Sequence, residues 1–194
     1  MKLLLTKRSP YARKVRVIAL EKNIVLDLID EDLSKKSRRL LDANPLGKVP
    51  TLILDNGTTV YDSSVICQYL DSLDNKIVMI PQAFPERMEV LKWEAFADDL
   101  TMAAINLYME KVRHPHDFNK DFSDALRKNI LGAYGHIEKN LSSLKKFNLA
   151  PIAVASAIGY IHFRLPDLKV QGPLLQWFEE VSGRPSMAQT IPAA

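Results

Sequence analysis

The chain has 194 residues, of which 47% are hydrophobic and 25% are charged, with a formal net charge of +3 at pH 7. This composition is typical of a globular protein with one large domain or two small ones, and so slight a charge gives no support for a nucleic-acid partner. The longest nearly unbroken apolar run, residues 152–161, is far below the roughly 20 residues of a membrane span, and the single Cys67 fits a reducing compartment, so we expect a cytoplasmic protein without a membrane partner.

The first third of the chain alternates between short apolar runs and amphipathic segments. The apolar runs predict four strands, at residues 2–5, 25–29, 51–54 and 58–61. The amphipathic segments predict three helices, of which the first is opened by Pro10, the second runs from Ser34 to residue 43, and the third is capped by Asp62. Residues 55–57, Asp-Asn-Gly, are a strong hairpin signal between the last two strands. The order βαβαββα predicts a mixed four-stranded sheet of the thioredoxin-like α/β class.

Pro50 stands where the third predicted strand begins, which is one of the few places in a sheet that accept proline. The weak trans preference of X-Pro bonds would allow a cis Val49-Pro50 bond in a sharp turn. Such a turn would leave the backbone N–H and C=O of Val49 pointing outward, free to pair with an extended peptide. The alternative is an ordinary loop that ends in a strand.

The rest of the chain is predicted to be helical. A linker at residues 75–85 would separate a sheet domain, residues 1–74, from an all-helical domain, residues 86–194. The helix that starts near Pro85 and runs to residue 112 carries apolar residues on two sides, in steps of three and four. One stripe comprises Met88, Leu91, Ala95, Met102, Ile105, Met109 and Val112, and the other comprises Trp93, Phe96, Leu100, Ala103 and Leu107.

A helix that is apolar on two sides must be covered on two sides. One cover is the helical domain itself, and the other is the sheet domain or a second subunit, so we expect a two-fold homodimer. Asp98, set within the first stripe, is expected to be a partly exposed acid, with the ligand cleft and the dimer interface as alternative surroundings.

Three further helices are expected. The next amphipathic helix would run from Phe122 to residue 144, and residues 152–161 would form the central buried helix of the bundle. Asn148 can cap that central helix, while Pro151 stands where a capping box would place an acid. The last helix, residues 174–181, would be stopped by Gly183 and Pro185.

Three blocks of the chain, SPYARKVR at residues 9–16, NPLGKVPTL at residues 44–52 and YDSSVICQYL at residues 61–70, resemble the N-terminal domain of glutathione S-transferases. The resemblance continues into the helical half at residues 92–98 and 152–160, and it is closest to the bacterial serine-type members. It implies the fold of that family, a thioredoxin-like domain followed by a helical bundle.

Ser9 precedes the first helix in a place where thioredoxin-like redox proteins carry a Cys-x-x-Cys pair, and Ala12 also lacks sulfur, so dithiol chemistry is excluded here. A hydroxyl at a helix N-terminus can donate a hydrogen bond to a thiolate and lower the thiol pKa. The resemblance implies this catalytic role for Ser9. The alternative is that Ser9 merely caps the helix, with the hydroxyls of Thr6 and Tyr11 as substitutes.

The resemblance also implies the residues that bind glutathione. Asp62 and Ser63, at a helix N-terminus, would hold the ammonium and carboxylate of the γ-glutamyl end. Val49 and Pro50 would pair with the cysteinyl backbone, and Lys48 would reach the glycine carboxylate. Family members more often carry Glu before that serine, so the shorter Asp62 changes the geometry.

The implied function is therefore that of a cytosolic glutathione transferase whose Ser9 stabilises the glutathione thiolate for attack on a small hydrophobic electrophile. The electrophile pocket is expected to include Tyr11, Met102, Leu107 and Tyr108. No metal and no bound cofactor are expected, because glutathione is itself the cosubstrate. A non-catalytic binding or regulatory protein of the same fold is the alternative, whereas a glutathione-dependent disulfide reductase would need cysteine at position 9.

Overall fold

The computed structural model describes residues 1–74 and 76–193. The strands are β1 (Lys2–Leu5), β2 (Asp27–Asp30), β3 (Thr51–Ile53) and β4 (Thr59–Val60). The helices are α1 (Pro10–Glu21), α2 (Arg38–Ala43), α3 (Ser63–Ser72), α4 (Phe84–Arg113), α5 (Lys120–Lys139), α6 (Leu149–Arg164), α7 (Gly172–Ser182) and α8 (Pro185–Ala188), with 3₁₀ turns at Leu141–Leu144 and Pro166–Leu168. The predicted thioredoxin-like half followed by an all-helical half is confirmed.

The strand order of the sheet decides which loops meet. The order is β2-β1-β3-β4, with β1 parallel to β2 and antiparallel to β3, and β3 antiparallel to β4. The last residues of β1 and β2 are therefore level with the first residue of β3 and the last of β4. The loops at residues 6–9, 31–37, 44–50 and 61–62 consequently gather at one end of the sheet, which we call the loop end.

Helix boundaries in the sheet half follow the capping chemistry. Ser37, not Ser34, caps α2, because the Ser37 hydroxyl accepts the backbone N–H of Leu40 at 3.0 Å. The Ser34 hydroxyl is already engaged with the carboxylate of Asp32 at 2.6 Å in the preceding turn. The prediction that this helix begins at Ser34 was therefore wrong.

Two boundaries in the helical half also differ from expectation. The predicted helix that begins at Phe122 ends at Lys139, because Asn140 leaves the helical conformation and its side-chain amide donates to the carbonyl of His136 at 2.8 Å. Leu141 and Leu144 lie in a separate 3₁₀ turn. Pro185 does not end helical structure but opens the short helix α8, consistent with the preference for proline in a first turn.

Helix α6 is the centre of the helical half, as predicted, since every residue from Leu149 to Ile161 is buried. The Asn148 side chain caps it by accepting the backbone N–H of Ala150 at 2.9 Å. A β-carbon at Gly159 would lie 2.4 Å from Nη1 of Arg13, so the lack of a side chain at Gly159 lets that guanidinium lie close against α6. Nη2 of Arg13 then donates to the carbonyl of Met187 at 3.1 Å, which joins α1, α6 and α8.

The segment between α3 and α4 is fixed onto the sheet half. The Asp71 carboxylate accepts the backbone N–H groups of Met79 and Ile80, both at 2.9 Å. Lys22, at the end of α1, donates to Asp71 at 3.3 Å and to the carbonyl of Ile77 at 2.7 Å. Helix α4 begins at Phe84, inside the predicted linker, and the domain limits at residues 74 and 86 remain a prediction.

The two predicted stripes of α4 have different environments. Trp93, Leu100 and Leu107 of the second stripe are buried in the core. Met88 and Met102 of the first stripe are 49% and 44% exposed, so this stripe faces partly outward. Across residues 1–74 and 76–193, no helix is both long and apolar enough to cross a membrane.

Candidate functional site

Ser9 occupies the start of α1 at the loop end of the sheet. Its hydroxyl accepts the backbone N–H of Ala12 at 3.2 Å, and its own N–H donates to the carbonyl of Thr6 at 3.0 Å. Capping uses only a lone pair of the hydroxyl oxygen, so its hydrogen remains available to a ligand. Ser9 can therefore cap the helix and donate to an anion at the same time.

The backbone at Val49 is open, which is what a peptide-pairing site requires. The Val49-Pro50 bond is cis. Among residues 1–74 and 76–193, no hydrogen-bonding partner is found for the N–H or C=O of Val49. The turn is held by its neighbours, because the Lys48 carbonyl accepts bonds from the Asn44 amide at 3.2 Å and from the Thr51 hydroxyl at 2.9 Å.

The side chain of Lys48 is exposed to solvent at the loop end. Two other cations near it are engaged. Nζ of Lys36 donates to the Leu46 carbonyl at 3.1 Å, and Arg39 donates twice to Glu31 at 3.0 and 3.1 Å. Lys48 is thus the better placed of these cations to meet an external carboxylate.

Asp62 and Ser63 form the start of α3. The Asp62 carboxylate caps the helix by accepting the backbone N–H of Ser64 at 3.1 Å, and it is exposed to solvent. Ser63 is 3% exposed, and its hydroxyl makes no hydrogen bond to any part of the chain that the structure describes. Helix N-termini attract carboxylates, while the exposed Asp62 suits an ammonium, so the pair can receive both charges of an amino acid.

A buried cluster of charges lies directly behind this helix start. Nζ of Lys14 contacts a carboxylate oxygen of Glu94 at 2.8 Å and both oxygens of Asp98 at 2.7 and 2.8 Å. The Ser64 hydroxyl donates to the Asp98 carboxylate at 3.4 Å. The cluster joins α1 and α3 of the sheet half to α4 of the helical half.

Two carboxylates share one ammonium in this cluster. Burial acts to lower the pKa of Lys14, but the neighbouring Cys67, Asp98 and Glu94 outweigh it and the pKa is raised. Burial raises the pKa of Asp98 against the opposing charge of Lys14. Sequence reasoning noted Asp98 but missed Lys14 and Glu94, because an ordinary helical spacing of charges says nothing about a partner far along the chain.

The residues predicted for the electrophile pocket do not all reach the same space. Tyr11 is half-buried, its hydroxyl donates to the Asp98 carbonyl at 3.3 Å, and burial together with the charge of Asp98 raises its pKa. Met102 is exposed and Tyr108 is half-buried. Leu107 is completely buried in the core, so the expectation that it lines an open pocket was wrong.

Two side chains of α6 that sequence reasoning did not single out join this group. Nη1 of Arg164 donates to the Tyr108 hydroxyl at 3.2 Å. Burial raises the pKa of Tyr160, and the positive charges of Arg164 and Arg8 oppose that shift. Arg164 thus joins the end of α6 to Tyr108 of α4.

An open cavity of about 350 Å³ lies beside the Ser9 loop, at the β2 side of the loop end. It is lined by Thr6, Lys7, Arg8, residues 30–32 and Ala193. Both signs of charge are present in its wall, so it does not favour one class of ligand.

The chain is similar to known proteins in both its sheet half and its helical half. The family model described as "Glutathione S-transferase, N-terminal domain" matches residues 8–73. The protein named "Uncharacterized GST-like protein YibF" from Escherichia coli (strain K12) is 31% identical over 199 residues, which cover 99% of this chain and 98% of that protein.

Two solved structures are similar over the same extent. A glutathione S-transferase from Methylobacillus flagellatus KT with glutathione bound is 36% identical, with a TM-score of 0.93 and coverage of 99% of each chain. A glutathione transferase family member from Pseudomonas fluorescens Pf-5 with bound S-(propanoic acid)-glutathione is 35% identical, with a TM-score of 0.89 and coverage of 100% of each chain. The similarity is therefore not confined to the sheet half.

Proposed function

The chain belongs to the glutathione S-transferase family, and on that basis we propose that it joins the thiol of glutathione to small hydrophobic electrophiles. The observation that carries the proposal is the convergence at the loop end of a donor hydroxyl at Ser9, an open backbone at Val49 and the helix start at Ser63. Glutathione offers a thiol, an extended peptide and an amino acid end, which match these three features in kind.

In this proposal Ser9 is the catalytic residue. Its hydroxyl hydrogen bonds to the glutathione sulfur, and the N-terminus of α1 adds its positive dipole end. Both favour the thiolate over the thiol and lower the thiol pKa. The thiolate is the nucleophile that attacks the electrophilic carbon.

The remaining contacts hold glutathione in place. The N–H and C=O of Val49, beside Pro50, pair with the cysteinyl backbone as a short added strand. Ser63 and the N-terminus of α3 receive the γ-glutamyl carboxylate, Asp62 receives its ammonium, and Lys48 receives the glycine carboxylate. Glutathione is consumed as a cosubstrate, and we propose no further cofactor and no metal.

The electrophile would enter between the sheet half and α4, where Tyr11, Met102 and Tyr108 lie. The exposed apolar side chains of α3 and α4 support a homodimer, since Val65 is 48% exposed and Met88 is 49% exposed. A cytoplasmic location remains a prediction from the single cysteine.

A glutathione titration by calorimetry on wild type and on Ser63→Ala tests the binding site. We expect wild type to bind and Ser63→Ala to bind at least about tenfold more weakly, because hydrogen bonds to charged groups contribute roughly 1.5–3 kcal/mol. Ser72→Ala is the matched control, since Ser72 lies at the opposite end of α3 and donates to the Tyr69 carbonyl.

Absence of binding to wild type at millimolar glutathione would overturn the proposal. The chain would then be a non-catalytic member of the family, which is the alternative function. Equal affinities of wild type and Ser63→Ala would remove Ser63 from the site, and an equal loss in Ser72→Ala would indicate a general effect on α3.

A further inference from the structure

Arg164 is the last residue of α6, and its guanidinium lies beside two aromatic rings. Its central carbon lies 4.7 Å from the ring centre of Tyr108 and 4.5 Å from that of Phe163. Nη1 also donates to the Tyr108 hydroxyl at 3.2 Å. The two cation–π contacts and the hydrogen bond together restrict the guanidinium before any ligand arrives.

The charge of Arg164 has no carboxylate partner in the described parts of the chain, where no acidic oxygen lies within 4.0 Å of it. Its Nε atom is buried and has no hydrogen-bond acceptor there. Two other arginines of the helical half do have carboxylate partners, Arg127 with Asp167 at 2.6 Å and Arg184 with Glu21 at 3.0 Å. A half-buried cation without an anion is unfavourable, which points to a partner supplied from outside.

The position of Arg164 relates it to the thiol site. The Tyr11 hydroxyl, two residues after Ser9, donates to the Asp98 carbonyl of α4 at 3.3 Å. Arg164 donates to the hydroxyl of Tyr108, which follows Asp98 on the same helix. Helix α4 therefore links Arg164 to the start of α1, where the proposed catalytic serine lies.

From this geometry we propose that Arg164, with the Tyr108 hydroxyl, binds a carboxylate carried by the electrophile, so that the preferred substrates are anionic aromatic electrophiles. The planar fork of a guanidinium matches a carboxylate, and the aromatic rings around it suit an aryl group. The inference rests on the proposed function, because it names the substrate class of the same site.

A suitable probe is 4-chloro-3-nitrobenzoate. A lone pair of the glutathione thiolate forms the new C–S bond at the carbon that carries chlorine. The C–Cl bond breaks, and chloride leaves with its electron pair, while the thiol proton has already passed to solvent. The carboxylate stays unchanged and serves only to orient the ring.

The experiment compares kcat/KM for this benzoate with kcat/KM for 4-chloro-3-nitrobenzamide, its uncharged counterpart, at neutral pH and saturating glutathione. The ratio of the two values in wild type and in each variant cancels their different intrinsic reactivities. We expect Arg164→Met to lower kcat/KM for the benzoate about 10- to 100-fold, chiefly through KM, and to change the benzamide value less than about threefold. Arg127→Met, which removes an arginine already paired with Asp167, should leave the ratio unchanged.

The possible results distinguish a failure of the proposed carboxylate site from a failure of the proposed transferase function. If wild type conjugates both compounds and Arg164→Met changes them equally, or changes neither, the carboxylate site is overturned while the transferase function stands. If wild type binds glutathione but conjugates neither compound, both the carboxylate site and the proposed transferase function are overturned.

Arg164→Lys covers the case in which Arg164→Met does not fold. Lysine keeps the charge and the stem but lacks the fork, so the benzoate preference should fall about three- to tenfold. A preference equal to that of wild type would overturn the site.

Discussion

At the scale of single residues, Lys14 shows how the chain places charge inside its core. Its side chain is 1% exposed, that of Glu94 is 4% exposed and that of Asp98 is 26% exposed. The ammonium is the only cation in contact with these two carboxylates within the described residues. Removing it would leave the Glu94 carboxylate buried without a counter-charge, which is far more unfavourable than losing an exposed ion pair.

We therefore expect Lys14→Met to lower the free energy of unfolding by about 3 kcal/mol at neutral pH, the lower end of what breaking a buried pair costs. Urea denaturation measures this change. Lys14→Met combined with Glu94→Gln should recover part of the loss, since the amide needs no counter-charge. If the double variant is no more stable than Lys14→Met, the ionic account of this cluster is wrong.

At the scale of elements, the junction between α6 and α7 contains a histidine that must stay neutral. Nε2 of His162 accepts the backbone N–H of Val170 at 3.0 Å, and the ring packs edge-on against Phe178 with centroids 4.8 Å apart. A protonated imidazole has no lone pair to accept that bond. Burial, and then the charge of Lys169, lowers the pKa of His162 from its usual 6.5.

The lowered pKa of His162 makes the free energy of unfolding depend on pH. Because the folded pKa lies below the unfolded one, the unfolded chain binds more protons in the window below about pH 6.5. The contribution of His162 is thus fully present above that pH and is lost as the pH falls through the folded pKa. We expect His162→Phe to reduce the slope of unfolding free energy against pH between about pH 7 and 5. An unchanged slope would show that His162 does not titrate as this contact requires.

Elements also show where local sequence signals suffice and where they fail. Asp62 and Asn148 cap the helices that the sequence assigned to them, because an N-cap bond involves residues two or three positions apart. The prediction that α2 begins at Ser34 was wrong because the carboxylate of Asp32, two residues earlier, accepts the hydrogen bond of the Ser34 hydroxyl. Capping rules describe a single serine correctly but do not choose between two neighbouring ones.

At the scale of the whole molecule, the loops that meet at the loop end of the sheet were predictable from the sequence. The contacts between residues far apart in the chain were not. Ser9, Val49-Pro50 and Ser63 could be proposed from the sequence because each sits in a local motif, and the strand order then brings those motifs to the same end of the sheet. Lys14 meets its partners 80 and 84 positions later, and Arg164 meets Tyr108 across 56 positions. No spacing rule relates such residues, since their contact depends on how two halves pack.

The central claim concerns the whole site, namely that the fold lowers the pKa of a bound glutathione thiol through Ser9. The most direct test is the ultraviolet absorbance of the thiolate against pH, recorded with glutathione bound to wild type, Ser9→Ala and Tyr11→Phe. We predict a bound thiol pKa below the free value of about 8.5 in wild type, and a rise of about one unit or more in Ser9→Ala. Tyr11→Phe should match wild type, because the Tyr11 hydroxyl is engaged with the Asp98 carbonyl. Identical curves for wild type and Ser9→Ala would contradict the account, and a rise in Tyr11→Phe alone would transfer the role to Tyr11.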